Sequence, residues 1–203
     1  RPRQKGGGIP GILIPAILLG FAYSFCIQVN NTNISFLIER GGFGTAGITG
    51  VVTSACTLGA AAGAAAYDRI LKRLGYKTFL LGIGCCVAGF LLGAAARSIV
   101  WGFACVLLLG LGLGMTNPAL LMLVGRNSRE NATLFFSLVM AAMNLGAMVQ
   151  GLLVPRLTSA IFGGDGQGRD AFLVAGIGMA LCLLAGVLML LRFGKPSEPS
   201  EPC

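Results

Sequence analysis

Apolar residues along this chain come in long runs, not in alternation. Apolar stretches cover residues 9–29, 45–66, 78–96, 99–124, 133–157 and 171–191; apart from Arg156, next to the end of the fifth, they carry no charge, and the charged residues gather between them. A helix needs about 20 residues to cross a hydrocarbon core of roughly 30 Å, so each stretch predicts a membrane span. Helices are required because a backbone in lipid must satisfy its own hydrogen bonds. A membrane β-barrel would show alternating segments of about ten residues, which this chain lacks. The expected architecture is an all-α, six-transmembrane-helix bundle.

Composition strengthens this reading. Hydrophobic residues make up 55% of the chain and charged residues 11%, whereas a soluble domain carries about a quarter charged residues. Small residues are placed for helix packing: Gly59 and Gly63, Gly89 and Gly93, and Gly110 and Gly114 each put two glycines on one helix face. Arg97 and Ser98 leave almost no connection between the third and fourth spans, which predicts antiparallel neighbours. Three helices, a tight turn and three more suit a 3+3 inverted repeat.

The net charge of +8 does not indicate nucleic acid, because it sorts by alternate loops. One side receives Arg1, Arg3, Lys5, Arg69, Lys72, Arg73, Lys77, Arg126, Arg129, Arg192 and Lys195. The other receives Arg40, Arg97, Arg156 and Arg169. This bias predicts that both termini are cytoplasmic and that the protein is multi-pass in the cell (plasma or inner) membrane. Residues 1–8 read as a basic cytoplasmic linker, 9–193 as the bundle, and 194–203 as a disordered cytoplasmic tail. An opening at Arg1 without a signal peptide suggests a piece of a longer chain.

Reactive chemistry is sparse. The chain has no His, and its seven cysteines form no CxxC pair, so neither a metal nor any other cofactor is expected. A serine hydrolase would want a base and an aspartyl protease two embedded acids, so the chain is not read as an enzyme. Asn117-Pro118-Ala119 matches the tripeptide of aquaporin-like channels, but no second copy follows; Pro118 is better read as a kink. The glycine-rich stretch 163–168 has too few acids for a calcium loop and reads as a turn.

Polar residues inside spans are the candidates for solute contact. Ser24, Gln28, Asn31 and Ser35 recur on one helix face, flanked by Tyr23 and Asn30. The alternative is that 30–33 form the outer end of the first helix. Thr133, Ser137 and Asn144 share a face of the fifth span with Met140 between them, and Asn144 lies near mid-membrane. Asn117 joins the candidates in the fourth span, and Thr49, Thr53 and Thr57 form a weaker row in the second. Five methionines, Met115, Met122, Met140, Met143 and Met148, would serve either ordinary packing or an adaptable cavity wall. No carboxylate is expected within a span, which would put any proton carrier elsewhere.

After the second span comes Gly63-Ala64-Ala65-Ala66-Tyr67-Asp68-Arg69-Ile70-Leu71-Lys72-Arg73-Leu74-Gly75-Tyr76-Lys77. This resembles the loop signature of the major facilitator superfamily, with Asp68 and Arg69 at the Asp-Arg positions and Lys72 and Arg73 as the basic pair. It departs at Leu71, where the family often has Gly, and in the spacing of Gly63. The resemblance implies a conformational latch, in which the acid could also cap a neighbouring helix. It further implies helices seven to twelve of a twelve-helix transporter that moves a small-molecule solute by alternating access. The implied partners are the lipid bilayer and an amino-terminal six-helix half. A non-transporting membrane partner protein, or a half-length transporter that dimerises, is the competing expectation.

Overall fold

The computed structural model describes residues 11–75, 77–127, 131–163 and 167–193. The expected linker and tail lie outside these. The described residues form six helices: α1 (Leu13–Arg40), α2 (Ala46–Leu74), α3 (Lys77–Ala94), α4 (Ile99–Asn127), α5 (Ala132–Phe162) and α6 (Arg169–Phe193). All six are long and apolar enough to cross a membrane.

Two helix ends show how the sequence stops a helix. α2 stops at Gly75 with φ +56° and α5 at Gly163 with φ +76°, conformations that a side chain with a Cβ resists. The Thr78 hydroxyl then donates to the Gly75 carbonyl at 2.8 Å and starts α3.

The helices overrun the apolar runs, and two overruns matter. α1 continues eleven residues past Val29 to Arg40, so 30–33 lie within the helix and are not its end. At 28 residues it is about 42 Å long, against roughly 30 Å of hydrocarbon. α2 continues to Leu74, so the expected basic loop is the last two turns of a helix. Apolarity marks what lipid covers, whereas helical hydrogen bonding persists into the interface.

Packing pairs the helices with a two-fold pattern. α1 lies on α5 as α4 lies on α2; α3 lies on α4 as α6 lies on α1; α3 also meets α6. Exchanging α1 with α4, α2 with α5 and α3 with α6 returns the same set of pairs, as a 3+3 repeat requires. Consecutive helices touch little, apart from α3 and α4.

Glycine makes the closest pair possible. A Cβ on Gly59 or Gly63 would run into the backbone of α4, and one on Gly110 or Gly114 into the backbone of α2. Lipid supplies no hydrophobic drive between helices, so this approach trades side chains for dispersion contact. Gly146 likewise seats α5 against the Phe21 carbonyl of α1. Between α3 and α6, Phe90 and Phe172 meet at 5.7 Å in a tilted pair.

The end opposite the described termini is tied by arginines. Arg40 donates to Gln167 at 3.2 Å and lies over the Phe36 ring. Arg169 donates to the Ala96 carbonyl, joining α6 to the α3–α4 turn.

Burial divides the helices. Within their apolar windows half of α1 is buried inside the chain, but only 28% of α2 and 22% of α5. These two symmetry-related helices therefore present the most uncovered surface.

Candidate functional site

Because α1 runs unbroken to Arg40, the expected polar row is real helix geometry. Ser24 is buried, Gln28 and Ser35 are half-buried and Asn31 is exposed, so the row opens toward the end of α1 that carries Arg40. Asn31 donates to the Gln28 side chain at 2.8 Å, which fixes both amides at the surface of the bundle. Thr32 extends the row toward α5: Asn33 donates to its hydroxyl at 2.9 Å, and that hydroxyl lies 3.5 Å from Gln150 Oε1. Gln150 is 2% exposed, and it tethers α5 to α1.

Sequence reasoning did not single out Thr32 or Gln150. Gln150 was the legible signal, since a glutamine in an apolar span needs a partner. Which residue would meet it depended on the crossing of α1 and α5.

On α5, Asn144 is exposed near the middle of the helix, with Thr133, Ser137, Met140 and Met148 on the same uncovered side. The five methionines divide: Met115 and Met143 are in the core, Met122 is half-buried, and Met140 and Met148 are exposed. The Thr row of α2 splits too. Thr49 and Thr53 bond back to carbonyls of their own helix, while Thr57 is exposed.

Tyr23 and Asn117 sit deeper. Tyr23 is 1% exposed and turned from the polar row toward Thr116 on α4 and Cys86 on α3. Its hydroxyl and the Thr116 hydroxyl face one another, while the Asn117 and Asn30 side-chain carbonyls are buried without a hydrogen bond. All four belong to α1 and α4, the two central symmetry mates. A buried polar atom left unpaired costs about 1–3 kcal/mol, so this seam has hydrogen-bonding capacity in reserve. Asn30 does spend its amide on the Cys56 thiol at 3.9 Å. α4 passes through Pro118 without breaking.

The signature residues Asp68, Arg69, Lys72 and Arg73 are all exposed on the final turns of α2. Asp68 stands six positions before α2 ends, so it is not in the turn that starts α3. Lys72 and Arg73 stand in the last turn, where their charge complements the helix dipole. Tyr67, just before Asp68, is buried and its hydroxyl donates to Met122 Sδ at 3.4 Å. That contact holds the signature turn to α4.

The candidate groups are therefore a Gln28–Asn31 amide pair on α1 and, on the α5 side turned away from α1, an exposed Asn144, with a buried polar seam between α1 and α4 behind the first. They can offer hydrogen bonds in either direction, beside exposed methionines, without fixed charge.

The profile described as Major Facilitator Superfamily matches residues 12–202. No curated protein matches the chain. Solved structures do. A bacterial homologue of the human drug peptide transporters superposes with a TM-score of 0.79 at 22% identity, over 94% of this chain and 45% of that one. Tetrameric PepTSo2 gives 0.73 at 24% identity over 89% and 41%. A peptide transporter in complex with alafosfalin gives 0.72 at 20% identity over 95% and 41%. The chain thus spans less than half the length of each of these structures, and at such identities the likeness is one of fold.

Proposed function

The chain belongs to the major facilitator superfamily, and from that membership we infer that it carries a small solute across a membrane by alternating access. In this reading it is one six-helix half of a twelve-helix transporter in the cell membrane, with both termini cytoplasmic. The uncovered faces of α2 and α5 meet the other half. The solute sits near the bilayer midplane against Gln28, Asn31 and Asn144. Ser24, Tyr23 and Asn117 lie behind them, and the unpaired Asn117 carbonyl becomes available as the helices shift. Asp68 and Arg69, with Lys72 and Arg73, form the latch that holds one state.

The observation that carries the proposal is exposed Asn144 near the middle of α5, together with the Gln28–Asn31 amide pair at the outer end of the apolar run of α1. Lipid would leave them unsatisfied; a water-filled cavity would not. A neutral surface beside Met140 and Met148 suits an uncharged or amphiphilic solute. The whole width of the membrane need not be crossed by this half alone, since half-against-half rocking exposes a midplane site to each side in turn.

The test is uptake and efflux in vesicles bearing the intact protein. An uncharged hydrogen bond contributes about 0.5–1.5 kcal/mol, so Asn144→Ala should raise the half-saturating solute concentration roughly two- to twelvefold. Asp68→Ala should slow turnover with little effect on that concentration. Transport that is untouched by Asn144→Ala and by Asn31→Ala removes these residues from the site. If a broad solute panel is not moved by folded, inserted protein, the partner-protein reading replaces this one.

A second copy of the chain would cover the same α2 and α5 faces. The mass of the purified complex separates a dimer of this half from a single twelve-helix chain.

A further inference from the structure

A second opening lies on the reverse of the bundle. α5 and α6 follow each other in sequence yet diverge, and between them runs a crevice of about 850 Å3 floored by α1. Small residues create it: Ala22 on α1, and Ala175, Gly178 and Ala185 on α6. Its most polar lining groups are the thiols of Cys26 and Cys182. A Cβ at Gly178 would stand 2.7 Å from Cys26 Sγ, so the floor is closed there, while Ala185 is exposed at the mouth.

Helix geometry separates this crevice from the amide surface. At 100° per residue, Leu18, Ala22 and Val29 are turned by roughly 130° from Gln28, Asn31 and Ser35. Leu153 and Leu157 on α5 are turned at least as far from Asn144. If the amide surface faces the aqueous path, the crevice faces hydrocarbon.

Size and charge narrow the occupant. The crevice follows α1 from Ile14 to Val29 and α6 from Val174 to Met189, about 22 Å by helical rise. That exceeds the roughly 15 Å depth of one leaflet's hydrocarbon. Spread over that length, 850 Å3 gives a mean cross-section of about 39 Å2. Polar wall groups that would pair an extended peptide are absent from the lining. At the end marked by Ile14 and Met189, Arg192 stands exposed in the last turn of α6. A guanidinium at a membrane surface attracts anionic lipid phosphate.

We propose that this crevice binds one acyl chain of an anionic phospholipid, its phosphate at Arg192, and that the bound chain fills the wedge between α5 and α6. The site rests on the orientation of the bundle given in the transport reading, but not on transport itself, and its test needs no transport activity. The intact protein is reconstituted with a trace of phosphatidylglycerol carrying a diazirine in mid-chain, irradiated, and mapped by peptide mass spectrometry.

Label should concentrate on α1 and α6 residues of the crevice. It should fall at least fivefold in the Ala22→Phe/Ala185→Phe variant, which fills the space, and at least twofold in Arg192→Gln. Leu81→Phe, on the exposed apolar surface of α3, should change nothing. Even labelling of all exposed apolar faces, or labelling unchanged by filling, overturns the proposal. So do cross-linked copies of the chain joined through α1 and α6, which would assign the crevice to a second copy. Should the double variant lose its monodisperse size-exclusion peak, Leu181→Phe at the exposed rim and Arg192→Gln give the same discrimination.

Discussion

At the scale of single residues, glycine and asparagine divide the work of the bundle. Gly114 has no room for a side chain, because its Cβ would meet the Ala60 carbonyl and the Ala64 nitrogen of α2. Gly84 on α3 faces open space. Gly114→Val should therefore cost about 1–3 kcal/mol or more by overpacking against backbone, which cannot move aside. Gly84→Ala should be neutral or stabilising by up to about 1 kcal/mol, since alanine is the better helix former. Thermal unfolding of the detergent-solubilised protein, followed by size exclusion, checks both signs. The asparagines do the opposite service: Asn31 and Asn144 hold hydrogen-bonding groups where lipid could not satisfy them.

The helix is the scale at which the latch turn acquires its meaning. Asp68 sits nearly two turns before the end of α2, outside the reach of the dipole, while Lys72 and Arg73 sit in the last turn, where it favours bases. Stability and function should therefore part company. Lys72→Gln and Arg73→Gln should each lower stability by roughly 0.3–1 kcal/mol at low salt. Asp68→Asn should hold or raise it, even as turnover falls. A melting-temperature series in low and high salt reads the difference, because screening erases the dipole contributions. An Asp68→Asn variant that unfolds early would show instead that the acid is a structural anchor. The Tyr67–Met122 contact supplies the rigid footing that lets the exposed acid act outward.

The whole molecule sorts surfaces that look alike in one helix. Exposed side chains occur on every side of the bundle, but only some are paired with buried polar groups and with the uncovered faces of α2 and α5. With the native cysteines replaced, Asn31→Cys and Asn144→Cys should react with a water-soluble maleimide. Leu18→Cys and Leu181→Cys, which line the apolar crevice, should not. Comparable reaction at all four positions would mean that the amide surface has no aqueous path of its own. Two-fold pairing of α1 with α5 and of α4 with α2 is the scaffold on which two such triplets can move as one body.

Much of this was legible from the residue order. Long uncharged runs could satisfy their backbones in lipid only as helices, so six spans followed from composition and length, and the Gly-xxx-Gly pairs marked where helices approach. The Ser24–Ser35 row followed from helical periodicity, and Asp68-Arg69 pointed to the family that the profile match then established. Span ends were not legible: apolarity reports burial in lipid, while α1 and α2 keep their hydrogen bonds well beyond it. Nor could the sequence separate Tyr23, sealed against Thr116 and Cys86, from Asn31 two turns away at the surface. Both are polar residues of one helix, and only the side of α1 on which α3 and α4 pack decides which is covered. The crevice between α5 and α6 was likewise invisible in sequence, because an opening depends on how far apart two helices stand, and that distance is set by every other contact in the bundle.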